Sequence, residues 1–131
     1  MKKSLQEKYE EFQLLDQTIK QLQQHHSMLH SQLVELRKIE QSVLEIGALK
    51  KENGLLVPLG AGVFVKATLK ATDEMIVNVG ASTLVKKTKE ETLVAVRKQI
   101  NELDEFFGQV EAELTEKITE ATQLHEALQE S

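Results

Sequence analysis

Apolar residues recur every three to four positions from Leu5 to Val43 and again from Leu93 to Leu128, while between these stretches the pattern shortens to alternation. In the first stretch heptad position a falls on Leu5, Phe12, Ile19, His26, Leu33, Glu40 and Gly47, and d on Lys8, Leu15, Leu22, Leu29, Leu36 and Val43. Nine of these thirteen are apolar. In the second, a falls on Leu93, Ile100, Phe107, Leu114, Ala121 and Leu128, and d on Val96, Leu103, Val110, Lys117, Leu124 and Ser131. Ten of these twelve are apolar. A 3.5-residue repeat held over about six heptads, with Gln, Glu and Lys at most other positions, is a coiled-coil pattern.

The two registers are each about 40 residues, or roughly 60 Å at 1.5 Å per residue, and one segment joins them, so the helices are expected to fold back on each other. The first, residues 1–53, should stop near "KKENG": Lys50 and Lys51 suit the negative helix end, and Gly54 can take the left-handed conformation beyond it. Gly47 offers an earlier stop. The second, residues 89–131, opens on "TKEE", a capping box in which Thr88 accepts from the amide three residues on and Glu91 reaches back.

Residues 54–88 change period. "VFVKATLK" sets Val63, Val65, Ala67 and Leu69 against Phe64, Lys66, Thr68 and Lys70, and "MIVNV" and "TLVKK" add β-branched runs. Breaks at Gly60-Ala61-Gly62, at Ala71 to Glu74 and at Gly80-Ala81-Ser82 divide this segment into four short strands in two hairpins. Pro58 cannot donate to a ladder, which places its strand at an edge or a bulge. The predicted fold class is α+β: an antiparallel coiled-coil helical hairpin carrying two central β-hairpins.

Gly60 and Gly62 invite a second reading as a phosphate-cradling loop. Such a loop needs a third glycine and a helix N-terminus aimed at the phosphates; Val65 holds that third position and strand follows. The segment also has no room for a βαβ unit. The glycines are read as turn residues that supply positive φ.

Composition adds exclusions. The net charge of −5, with both signs mixed along 131 residues, lacks the basic face of a nucleic-acid binder. No cysteine is present for disulfides or thiolate metal sites, and "MKKSLQEKYEEF" has no apolar core to act as a signal peptide. The longest nearly apolar run, Leu55 to Val65, is too short to span a bilayer. The chain is read as cytoplasmic, with no nucleic-acid or membrane partner.

Candidate chemistry is sparse. His26 and His30 lie one helical turn apart with His25 beside them, a spacing that can hold zinc, yet a third ligand is lacking. The competing reading makes His26 a polar layer in the seam, with His25 and His30 solvated. Glu40 and Lys117 are similar polar seam positions whose charged ends reach water. Asp73-Glu74 sits in a turn, and no serine, histidine and acid converge on a rigid core. No catalytic residue, metal or cofactor is expected.

The strands pose a packing problem: Val63, Phe64, Val65, Ile76, Val77 and Val79 put apolar groups on both faces of a sheet too small to bury them. Ile39, Leu44 and Ile46 supply part of the cover. The remainder, with the unpaired strand edges, should join other subunits.

The segment "LLVPLGAGVFVKATLKATDEMIVNVGASTLVKKTKEE" resembles the alpha class of archaeal-type prefoldins, as does the order coiled coil, double hairpin, coiled coil. Ser82 departs from that pattern where a second glycine is common, and Ala71 where an acidic residue is. The resemblance implies an ATP-independent co-chaperone: two alpha and four beta subunits joined through their hairpins into a β-barrel body with coiled-coil arms. Arm tips would hold unfolded polypeptides and deliver them to a group II chaperonin. Leu5, Tyr9, Phe12, Leu14 and Leu15 would converge at the tip with Ile118, Leu124 and Leu128. The alternative is a structural spacer or scaffold that uses the same arms only to set distances.

Overall fold

The computed structural model describes residues 4–130; Ser131, the last d position, lies outside them. The element order is α1 (Leu5–Ala48), β1 (Gly54–Gly60), β2 (Val63–Thr68), β3 (Glu74–Asn78), β4 (Leu84–Thr88) and α2 (Lys89–Gln129). These divide into two compact units, Glu35–Ile100 and the helical residues on either side of it in the chain.

Both helix starts are capped by hydroxyl side chains. Ser4 Oγ accepts from the Glu7 amide at 3.1 Å, and Thr88 Oγ1 from the Glu91 amide at 3.1 Å, each satisfying a donor that the helix leaves unpaired. Glu90 and Glu91 add negative charge to the first turn of α2, where the helix dipole favours it.

The end of α1 adjoins Gly47, the earlier of the two expected stops, and does not reach the later one. The helix stops at Ala48 and not near residue 53, and Glu52, with φ of 69°, takes the left-handed conformation in place of Gly54. The cause is competition for backbone groups: the Glu52 amide donates to the Leu69 carbonyl at 2.7 Å and the Leu69 amide to the Asn53 carbonyl at 2.9 Å. Residues that extend the β1–β2 ladder cannot also close helical turns, so Gly54 opens β1.

The strands form two separate antiparallel hairpins, β1 with β2 and β3 with β4. In the first, the register from Gly54↔Thr68 to Pro58↔Phe64 shifts before Gly60↔Val63. This irregularity adjoins Pro58, whose missing N–H interrupts the ladder. Both hairpins turn through residues with positive φ: Ala61 (50°) and Gly62 (79°) in one, Ala81 (48°) and Ser82 (60°) in the other. Two successive positive values are what a type I′ turn requires, and that turn matches the right-handed strand twist. A Cβ built on Gly60 or Gly62 would meet nothing within 4 Å, so dihedral freedom and not space calls for glycine there. In the second turn the Thr83 amide donates to the Gly80 carbonyl at 2.9 Å, and Asn78 Oδ1 accepts from the Gly80 amide at 2.9 Å.

Helix packing follows the heptads within each unit. Val43, Leu93 and Ile100 are buried in Glu35–Ile100, and Leu29, Leu33 and Val110 in the other unit; every one is an a or d position. Glu40 meets Arg97 Nε at 2.8 Å, and Lys117 lies 3.8 Å from Glu120, so both charged seam residues bring their ends to a partner near the surface. His26 stacks on Phe107 with ring centroids 4.3 Å apart, and His30 tilts against the same ring at 6.1 Å. His26 Nε2 is buried without a hydrogen-bond partner among the described residues, 4.0 Å from Glu111 Oε1.

Two outcomes are expected. His26→Leu should stabilise the helices by about 1–2 kcal/mol, because an unsatisfied buried polar atom is replaced by an apolar seam residue; the far-UV circular dichroism melt should shift upward. Ser82→Gly should remove a left-handed cost of about 1 kcal/mol, offset partly by the greater freedom of unfolded glycine. Backbone amides of β3 and β4 should then exchange with solvent more slowly.

Candidate functional site

Two surfaces carry apolar side chains that the chain itself does not cover, one in each unit. In Glu35–Ile100 the surface is the hairpins. Phe64 is 56% exposed and Val65 47%, although alternation puts them on opposite faces of β2, so the first hairpin is bare on both sides. Val63, Ile76 and Val79 are exposed as well. Val77 is placed differently from the other residues expected to join subunits. With Met75 it lines a groove of about 440 Å³ against Leu36, Ile39, Val43 and Val96, so one face of the second hairpin meets this unit's own helices. Its other face, carrying Ile76, remains open.

In the helical unit the surface lies beside the seam near the free helix ends. The seam residues here, Phe12, Leu15, Leu124 and Leu128, are half-buried, as are Leu22, Leu103, Phe107 and Leu114 farther along the helices. Leu5 is exposed, as is Leu14, which lies off the seam at 65% exposure. Ile118 is exposed on α2.

The expected tip residues do not form one cluster. They divide between two flanks. On one, Tyr9, Phe12 and Leu128 line an open groove of about 590 Å³. On the other, Leu15 and Leu124 line one of about 500 Å³. Leu5, Leu14 and Ile118 line neither. The first groove also contains His125, whose ring lies 5.6 Å from that of Phe12. The Gln129 side-chain amide lies 3.0 Å from His125 Nε2, within hydrogen-bond distance. Sequence reasoning passed over His125 because only seam and outward apolar positions were considered. Tyr9 and His125 both occupy heptad position e, and plotting that position on the two helices would have joined them with Phe12 and Leu128.

Among the described residues no group of three or more His, Cys, Asp or Glu side chains is arranged to hold a metal ion, so His26 and His30 gain no third ligand. Among them, too, no helix is long and apolar enough to cross a membrane.

This combination of a helical hairpin, paired β-hairpins and uncovered apolar surface defines a subunit built for association. Residues 15–131 match the family model described as "Prefoldin subunit". The chain belongs to the prefoldin family, and the family role is that of a chaperone. Its relatives include "Prefoldin subunit alpha" of Methanococcus aeolicus, 28% identical over 130 residues that cover 99% of this chain and 88% of that one. The protein of the same description from Methanopyrus kandleri is 30% identical, covering 86% of this chain and 76% of that one. The fold is similar to that of a filamentous PFD from Methanocaldococcus jannaschii solved by cryo-EM, with a TM-score of 0.74 and 22% identity over 88% of this chain and 95% of that one.

Substitution separates assembly from folding. Val65 is half exposed in the isolated chain, so Val65→Asp should leave helix content intact. A partner seated on β2 would bury the same carboxylate unpaired, at a cost of several kcal/mol. Native mass spectrometry should show smaller species than the unaltered chain forms, with an unchanged far-UV spectrum.

Proposed function

We propose that this chain is the alpha subunit of a cytoplasmic, ATP-independent chaperone that holds unfolded polypeptides at its helix ends. The observation that carries the reading is the pair of open grooves beside the helix ends, one lined by Tyr9, Phe12 and Leu128 and the other by Leu15 and Leu124. A spacer needs only a closed seam. Partly open apolar positions at the end of a helix pair offer weak contacts to a chain whose own apolar groups are exposed.

The hairpins supply the second half of the function. Their exposed Val63, Phe64, Val65, Ile76 and Val79 join the subunit to beta-type partners, two alpha with four beta, in a body closed as a β-barrel. Val77 supports that sheet from the side of the helices. Several arms on one body raise the local concentration of weak sites, so affinity for a client depends on arm number. Low affinity per arm suits release to a group II chaperonin. Nucleotide has no part in the cycle, in keeping with Gly60 and Gly62 forming a hairpin turn between β1 and β2.

The test combines client aggregation with native mass. A chemically denatured protein diluted into the assembled complex should remain soluble without nucleotide. Deleting residues 1–12 and 121–131 from the chain should abolish that protection while leaving the assembly's mass, less the deleted residues, intact. A full-length complex that assembles but never suppresses aggregation would establish the spacer reading instead.

A further inference from the structure

The groove of about 440 Å³ between the second hairpin and the helices of Glu35–Ile100 has apolar walls and a single charge. Leu36, Ile39 and Val43 of α1, Val96 of α2 and Met75 and Val77 of β3 form the walls. Thr92, buried there, donates its hydroxyl to the Thr88 carbonyl at 2.9 Å, and the rim residues Asn78 and Gln99 are uncharged amides. The charge is Lys87. Register pairs Lys87 with Met75 and Val85 with Val77, so all four leave the hairpin on the helix side. A face that only covered helices would be apolar throughout. Lys86, on the opposite face of β4, meets Glu74 at 3.6 Å. Lys87 is half-buried and has no ion-pair partner among the described residues, although it also borders a smaller cleft with Asp73, Glu74 and Glu91.

We infer that this groove is a binding site for a small amphiphile, its apolar tail lying between hairpin and helices and its carboxylate head on Lys87. The volume falls within the roughly 300–1,000 Å³ of small-molecule sites, which are mostly apolar with a few placed polar groups. Charge complementarity selects the head. An ammonium offers three donors and no acceptor, so it answers an anion and rejects a cation. One cation balances one negative charge; a phosphate, with nearly two, would be left uncompensated near Asp73, Glu74 and Glu91. A ligand held in this way touches β3, β4, α1 and α2 at once, and so stabilises the hairpin on the helices by mass action. The site lies wholly within Glu35–Ile100 and is independent of client holding.

The molecule carries its own reporter. Of the three methionines, Met1, Met28 and Met75, the last lines the groove. Decanoate, kept below its micelle concentration, is titrated into the full-length chain with isotope-labelled methionine methyl groups, and their magnetic resonance is followed. The Met75 signal should shift saturably while that of Met28 stays in place. Affinity should rise about fourfold for each methylene added from hexanoate to decanoate, the gain for burying one CH₂ group. Decanol, with the same tail and no charge, should bind about tenfold more weakly, and decyltrimethylammonium should not bind. Lys87→Met should lower decanoate affinity to that of decanol. Lys86→Met removes the same charge from the opposite face of β4 and should change it less than about twofold. Equal binding of decanoate and decyltrimethylammonium, or equal losses in the two lysine variants, overturns the assignment. So does a Met75 signal that ignores decanoate but moves with a peptide of alternating Leu and Glu, which would give the groove to an acidic polypeptide. The head-group comparison uses the unaltered chain and decides the assignment even where a variant fails to fold.

Discussion

Burial of the a and d side chains between α1 and α2 is the interaction on which everything else in this chain depends. Neither hairpin has a core: the first is open on both faces, and the second turns one face toward Leu36, Ile39, Val43 and Val96 across a groove. Two-stranded sheets of five to seven residues are marginal in water, so the helices must supply the free energy that lets the strands persist. The connection is direct at the Glu35–Ile100 seam, where Val43 is both a d residue packed between the helices and part of the surface that receives Met75 and Val77.

The seam is not uniform, and its departures from an apolar core have different consequences. Glu40 with Arg97 places a charge pair at an a position and keeps it close to water, which holds register at little cost in desolvation. His26 is different, because its Nε2 is enclosed while the ring lies flat on Phe107. Near the free ends Phe12, Leu15, Leu124 and Leu128 are half-buried and line open grooves. The same side-chain chemistry is core at Leu29 and accessible at Leu128.

Much of this was legible in the amino-acid sequence because periodicity and capping are local. The repeat through Leu29, Leu33 and Val43 and through Leu93, Ile100 and Val110 named the buried residues, since only a 3.5-residue spacing keeps side chains on one line of a supercoiled helix. Thr88 followed by Glu91 marked the start of α2 through a hydroxyl that can reach only its own first turn. The alternation around Gly60-Ala61-Gly62 and Gly80-Ala81-Ser82 marked hairpins, because a tight turn between strands has few backbone solutions.

Other properties depend on groups far apart in the chain, and the tertiary structure alone decided them. Helix α1 stops at Ala48 because Leu69, seventeen residues beyond Glu52, takes that residue's amide into a strand ladder. Alternation showed that β3 has two faces but not that Met75 and Val77 turn toward the helices, since which face is inward depends on how the hairpin meets Ile39 and Val96. Leu15 and Phe12 look alike as seam residues, yet they border grooves of unlike chemistry because α2 brings Glu120 beside one and His125 beside the other. A single helix determines its own apolar stripe; the character of each flank belongs to the pair, and is settled only by the antiparallel register that brings the second helix alongside.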